Sequence, residues 1–480
     1  MIFSWLEEAV RFRGAAHAVV QRDTYLSFRG LVHRAGRRMK ELRALGIGEG
    51  DAVGVMLGNV ADYVVLTVAV DQLGATLVPI APLCSGAELD AIQRLVPLRA
   101  IIARPGAKVL ERGDKERAPH SPAPTARSRL QGSLLSCALF PRPEPLPESI
   151  AVVFVTAASA GRYERVCRRG EDLAAEAENL ALSLGVSDSE RIGAALPFHH
   201  PFGFALGVTM TLGYGAQLHL DDDLSARRTL ARVRDSNLTL VPVSRTLVRE
   251  LCELPAVRPL EGADVRFLCA EGAVGRDLAR GFHRLFKVRV HGGFHRPSAG
   301  LVAVDPDGKS PHTVGLPVDG LDLRVADDLG EPVAQGRRGR LLVRGPGVGT
   351  TDDGSVDGPC TGPGGSGSGP GDGWLDFGER GLVDSKGRLK VLPRTDDLRC
   401  VEGLVVSLEE IRESLRTHPS VKDAAVVMGG ADGPGPGDDV VLQARVVIRR
   451  KVSPERLSGY LAARLSLHKV PARIEIVDAL

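Results

Sequence analysis

Two adjacent histidines, His199 and His200, lie in the longest charge-free stretch of the chain, Ile192 to Leu220. An imidazole titrates near neutral pH and can act as acid, base or ligand. In an apolar run it is equally at home as a satisfied core residue. The stretch also contains Pro197, Pro201 and five glycines. That makes it a poor membrane helix and a good core segment. A second segment with chemical potential follows the apolar pattern IAVVFVTA, where small residues give way to Arg162, Glu164 and Arg165. A third is VRVHGGFHRPSAG, residues 288–300. The seven cysteines form no C-x-x-C pair and are odd in number. They argue against a disulfide framework or a zinc site and fit a reducing compartment.

The elements that must hold these groups are legible in outline. With 480 residues, the chain is long enough for two or three domains. Hydrophobic residues make up 43% and charged residues 25%, which excludes a wholly disordered chain. The net charge is +2, so nothing calls for nucleic acid or an anionic membrane as partner. Aromatic residues at 4% do not supply stacking platforms for single strands. The N-terminal MIFSWLEEAVRFRG lacks a basic region followed by an apolar one. It does not read as a signal peptide, and the expected location is cytoplasmic.

Residues 1–110 alternate helical and strand patterns, with DAVGVMLG, TLVPIAP and RAIIARP as strands around the apolar helix ADYVVLTVAVDQLGA. That order predicts a parallel sheet. Residues 112–148 are rich in Pro, Arg and Ser and predict a surface loop or linker. IAVVFVTA, the helix EDLAAEAENLALSLG and a series of short apolar strands continue the α/β pattern. From Val314, short alternating strands predict a small β sub-domain. Residues 349–373 are Gly/Ser/Pro/Asp-rich and predict a flexible loop. The last 80 or so residues predict a compact α+β domain.

PFHHPFG (197–203), GLPVDGLDLRVAD with GRRGRLLVRGPGV, and GWLDFGERGLVDSKGRLKVLPRTDDLRCVEGLVVSLEEI occur in this order. In this the chain resembles the adenylate-forming superfamily of AMP-dependent synthetases and ligases, over nearly its whole length. The resemblance implies an α/β body over residues 1–392, a hinge at 393–397 and a small α+β domain from 398 to 480. It also implies two half-reactions: a carboxylate attacks the α-phosphate of ATP, then a thiol of CoA or phosphopantetheine displaces AMP. The small domain rotates between them.

Carried over residue by residue, the resemblance places Thr156, Ser159 and Gly161 at the phosphate loop, where Glu164 stands in the lysine position. At a few ångströms a carboxylate repels phosphate by on the order of 1 kcal/mol even in a watery site. Gly272 falls at the adenine turn and Glu379 at the ribose carboxylate. Arg394 and Asp397 fall at the hinge, and Cys400 at a lysine position after it. The aromatic-Gly place is taken by His291-Gly292 or by Gly293-Phe294. Neither register offers a Thr-Glu pair for Mg²⁺, so no metal ligand is assigned; His295 and Arg296 stand there instead. His200 falls at the family's histidine, the catalytic candidate. The run Pro197 to Tyr214 suits an acyl or pantetheine tunnel. The chain ends at Leu480, before the family's terminal lysine segment, and Lys469 lies too early to be that lysine.

Departures at the loop, the metal site, the hinge lysine and the terminal lysine point the same way. They predict a protein that has lost ATP-dependent adenylation, a pseudoenzyme that binds an acyl group, a carrier protein or a partner subunit. Two alternatives stand beside it. One is an active acid–thiol ligase in which Arg162, Arg165, His295 and Arg296 replace the usual cations. The other is an acyl-thioester transferase that needs no ATP. ATP or AMP with Mg²⁺, and a CoA or phosphopantetheine thiol, are the implied ligands. The partners would be a small acyl or aryl acid or its thioester, with a carrier protein or synthase subunit as a possible second.

Overall fold

A computed structural model describes residues 2–22, 24–111, 122–131, 134–147, 149–157, 163–255, 257–352, 373–392, 398–401, 404–429 and 441–478. The short apolar segments become buried strands. Ala52–Met56 pairs in parallel with Thr76–Pro79 on one side and Ala100–Ala103 on the other, as the strand–helix–strand order predicts. The Ala61–Gln72 helix is buried almost all round. A helix apolar on every face must be covered on every face.

Two large sheets carry the body. The eight-stranded one runs Thr350–Asp352, Tyr163–Arg169, Ile150–Ala157, Thr76–Pro79, Ala52–Met56, Ala100–Ala103, Leu135–Leu139 and Ala126–Leu130. The ten-stranded one includes Gly300–Val304, Val290–Arg296, Arg266–Cys269, Leu240–Pro242, Arg191–Gly193 and Gln217–Leu220, ending in the hairpin His17–Gln21/Thr24–Ser27. One core joins them: Val53, Val55 and Leu77 from the first sheet and Ile192 and Leu218 from the second cluster with Tyr63, Leu66, Leu180 and Leu206 from the helices. Asp322–Ala326, Gly339–Arg344, Leu375–Val383 and Leu389–Val391 form an antiparallel four-stranded sheet, the expected β sub-domain. At the C-terminal end, Leu408–Arg416 and Pro454–Ala462 pack on a sheet of Val421–Gly429, Val441–Ile448 and Arg473–Ile476.

Two expectations need correction. The segment 112–148 is not all loop: Ala126–Leu130 and Leu135–Leu139 form a hairpin that extends the first sheet from Ala100–Ala103. An alternating edge hairpin with one buried face hides easily among prolines and arginines. The Gly-rich segment also begins as structure, because Thr350–Asp352 pairs antiparallel with Tyr163–Arg169. Its remainder, 353–372, and the hinge at 393–397 lie outside the described residues. Among the described residues, no helix is long and apolar enough to cross a membrane.

Candidate active site

The charge-free segment is pinned before it does anything else. Asn59 donates from Nδ2 to the carbonyls of Ala194 and Leu196 at 3.0 and 2.7 Å, and its Oδ1 accepts from the Phe198 amide at 3.0 Å. Asn59→Ala would leave these buried backbone groups without their partner, at an expected cost of about 3 kcal/mol. Chemical denaturation measures it; a loss under 1 kcal/mol would contradict the assignment.

His200 then caps the turn beginning at Pro201. Its Nδ1 accepts from the amides of Phe202 and Gly203 at 3.1 and 3.4 Å. The catalytic candidate of the sequence is therefore first a cap, and its proton sits on Nε2. Gly203 is required by close approach: a Cβ there would lie 2.3 Å from the Pro197 carbonyl. The chain continues as a π-helical stretch, Phe204–Thr209, and the Met210–Tyr214 helix. Phe204 to Leu212 are buried, so of the predicted tunnel run the wall of the cavity is made by His199, His200, Pro201 and Phe202.

That cavity lies between the loop after Thr76–Pro79, the end of Ile150–Ala157 and the Val290–Arg296 strand. Ile80, Ala81, Cys84, Ile92, Phe154 and Val155 make an apolar lining. Thr156, Tyr163, His295, Arg296 and Lys469 add polar groups. An apolar pocket with a few convergent polar groups is the usual form of a small-molecule site.

Several predicted nucleotide contacts are engaged within the protein. Thr156 donates its hydroxyl to Glu164 at 3.2 Å. Arg165, expected to serve as a substitute cation, donates to the Leu95 carbonyl at 3.4 Å. Glu379 is buried and forms an ion pair with Arg296, so the ribose candidate holds a guanidinium. Arg296 also lies over the Phe294 ring, 4.5 Å from its centroid. Gly272 pairs with Gly293 beside the cavity at φ +117°, a backbone conformation that favours glycine. Ser159, Gly161, Arg162, Arg394 and Asp397 lie outside the described residues. No group of three His, Cys, Asp or Glu side chains among the described residues is arranged to hold a metal ion. The segment 288–300 presents His295 and Arg296, and these do not fit Mg²⁺, which takes oxygen ligands.

Behind His295 lies a buried ionic network that sequence reasoning missed. Arg168 donates to Glu176 Oε2 at 2.9 Å and to the carbonyls of Pro297, Asp172 and Gly347 at 2.6, 3.2 and 3.0 Å. The other Glu176 oxygen lies 3.1 Å from His295 Nε2. Burial works against the Glu176 carboxylate, but Arg168 and His295 outweigh it and hold it below the usual range.

The C-terminal unit closes the cavity with Lys469. Its ammonium lies 3.0 Å from Glu88 and 3.1 Å from Glu410, and donates to the Tyr163 hydroxyl at 2.6 Å. Ser466 donates its hydroxyl to Glu88 at 2.5 Å, and Ser85 donates to the Arg464 carbonyl at 2.8 Å. The Gly86–Leu95 helix sets this up through its capping box, Ser85 with Glu88. Burial would raise the Glu88 carboxyl, but Lys469, Ser466 and the Ser85 amide bring it down to about 2.

These groups set an acid limit. Burial holds His199, His219 and His468 down to about 4. An unfolded chain takes protons on these imidazoles near pH 6.5 and the folded one only near 4, so stability present above 6.5 falls across that window. Glu88 adds a further loss between about pH 4.5 and 2. The melting temperature is expected to fall by several degrees from pH 7.5 to 5; no change would contradict this burial.

Comparison with known proteins agrees with this fold. Residues 6–351 match the model of the AMP-binding enzyme family, and the chain belongs to that family. It is 26% identical to a feruloyl-CoA synthase of Amycolatopsis sp, over 99% of this chain and 95% of that protein. Its fold is that of the amide bond synthetase McbA from Marinactinospora thermotolerans, with a TM-score of 0.80 at 22% identity, covering 99% and 96% of the two chains. It is also that of a double mutant of o-succinylbenzoate CoA synthetase from Bacillus subtilis bound to its product analogue OSB-NCoA. There the TM-score is 0.79 at 20% identity, covering 99% and 95%. Against the same enzyme in complex with ATP and magnesium the TM-score is 0.68.

Proposed function

We propose that the protein is an acid–thiol ligase of the AMP-forming type with remade nucleotide contacts. It would join a small acyl or aryl acid to the thiol of CoA or a phosphopantetheine. The observation that carries this reading is the end-to-end relation to a feruloyl-CoA synthase, 99% of one chain against 95% of the other. It includes the C-terminal unit that seals the cavity through Lys469. Function belongs to sites rather than folds, so the cavity must also suit the task. Its apolar lining suits an acyl or aryl group, and Thr156, Arg296 and Lys469 add polar groups to its wall.

In this reading Arg296 is the movable part. It would exchange Glu379 for a nucleotide phosphate, and Glu379 would then accept the ribose hydroxyls. Acyl transfer to CoA, followed by mass spectrometry with a panel of aryl and acyl acids and Mg·ATP, tests the reading. An ATP-dependent acyl-CoA product is expected for at least one acid.

A second reading, binding of an acyl group without adenylation, is favoured by the Arg296–Glu379 pair and the Thr156–Glu164 hydrogen bond. It predicts acid or thioester binding with no product under any condition.

A further inference from the structure

His295, read from the sequence as a substitute cation, stands in the structure as a buried imidazole beside Glu176 at the cavity wall. It leaves the Val290–Arg296 strand at a register shift between Phe294 and His295. Such a bulge re-aims the following side chain. Phe294 stays in the sub-domain core, while the His295 ring packs against Phe202, 5.2 Å between centroids, and lines the cavity. Its Nε2 is turned to Glu176, whose second oxygen is held by Arg168. An ionised carboxylate only accepts, so a neutral imidazole here must carry its hydrogen on Nε2. Nδ1 is then a lone-pair acceptor, and among the described residues no donor to it is seen beside the Nε2 contact with Glu176. The cavity that His295 lines is apolar in part, with Ile80, Ala81, Phe202, Ala270 and Pro297 in its wall beside the polar Glu271 and Arg296.

We infer that His295, oriented by Glu176, is a specificity-determining residue whose Nδ1 accepts a hydrogen bond from a hydroxyl or amino group carried by the acid substrate. A buried polar pocket group that loses its partner penalises the wrong ligand. The pocket should therefore prefer an acid bearing a donor over the same acid bearing a methyl group in that place. Glu176 and Arg168 are positioning residues, acting through the imidazole. This rests on the ligase reading only in taking the cavity as the site of the acid.

The test is calorimetric titration of the full chain, without nucleotide, using the ortho, meta and para hydroxy- and methylcinnamates and the aminobenzoates with their methyl counterparts. At least one donor-bearing acid is expected to bind about 10-fold more tightly than its methyl analogue. In His295→Phe, which keeps an aromatic ring beside Phe202, the ratio should fall to within 2-fold. If that variant does not fold, His295→Gln, which keeps a donor toward Glu176, takes its place with the same expectation. Equal binding of every pair by the wild type would overturn the inference, as would no binding of any acid or an unchanged preference in the folded variant. Failure of acyl-CoA formation alongside intact discrimination would remove the ligase reading and leave this one standing.

Discussion

Lys469→Met is expected to cost about 3–5 kcal/mol of unfolding free energy, the usual penalty for removing one partner of a buried ion pair. Lys469 is 3% exposed and stands between two carboxylates, Glu88 of the body and Glu410 of the C-terminal unit. Without the ammonium, both carboxylates lose their shared countercharge. Burial alone would lower the Lys469 ammonium, but Tyr163, Glu88 and Glu410 outweigh that and hold it protonated. The variant should therefore shed the docking of the C-terminal unit before the body unfolds. Urea titration followed by limited proteolysis separates the two events. The triple variant Lys469→Met, Glu88→Gln, Glu410→Gln should recover much of the loss, because apolar or neutral replacement of a whole buried cluster is often close to neutral. A single-variant midpoint within error of wild type would mean that the pair does not hold the units together.

Arg168→Met should be as damaging, for a different reason. The arginine is 1% exposed and ties three separate segments: Glu176 and Asp172 of one helix, Pro297 after the His295 strand, and Gly347 before the Thr350–Asp352 strand. Its removal leaves Glu176 buried with only a neutral imidazole beside it, and a loss of about 3–5 kcal/mol follows. Arg168→Lys should recover only part, since a lysine cannot reproduce the planar fork that reaches several acceptors at once. Equal stability of the lysine variant and the wild type would show that charge alone matters there.

Much of the fold was legible because it rests on local pattern. Runs such as IAVVFVTA and AVGVM can only be buried strands, and the Ala61–Gln72 helix has no polar face to expose. The candidate cavity was legible in part, through the ordered motifs that placed Thr156, His200 and Glu379 near one another. What the residues do to each other was not. Ser466 and Glu88 meet across 378 residues of chain, and no spacing rule connects Lys469 to Glu88. Glu379 reads as a ribose ligand, and only the fold shows Arg296 as its partner. Glu164, expected to repel a phosphate, instead accepts the Thr156 hydroxyl. Arg168 looks like one of many surface arginines in an arginine-rich chain and is among the most buried side chains of all. Its only signal in the sequence is weak: a charged residue at a strand position where apolar Val166 and Cys167 precede it.

Two of the residues carried over from the family motifs, Glu379 and Thr156, acquire a physical form here. The ribose carboxylate and the strand-end hydroxyl are occupied by partners inside the protein, not missing. Occupied groups are exchangeable if the incoming ligand repays the pair it breaks. The Arg296–Glu379 pair is partly reachable from the cavity on the Arg296 side, 18% exposed against 2% for Glu379, so a phosphate would meet the guanidinium first.

The most direct measurement is AMP release from Mg·ATP by the purified chain across a panel of aryl and acyl acids, with and without CoA. An acid–thiol ligase predicts AMP formation that depends on at least one acid and rises when CoA is added. If no acid raises AMP above the ATP-only background, while calorimetry shows that acids still bind, the ligase account is contradicted and the protein is an acyl-binding member of its family.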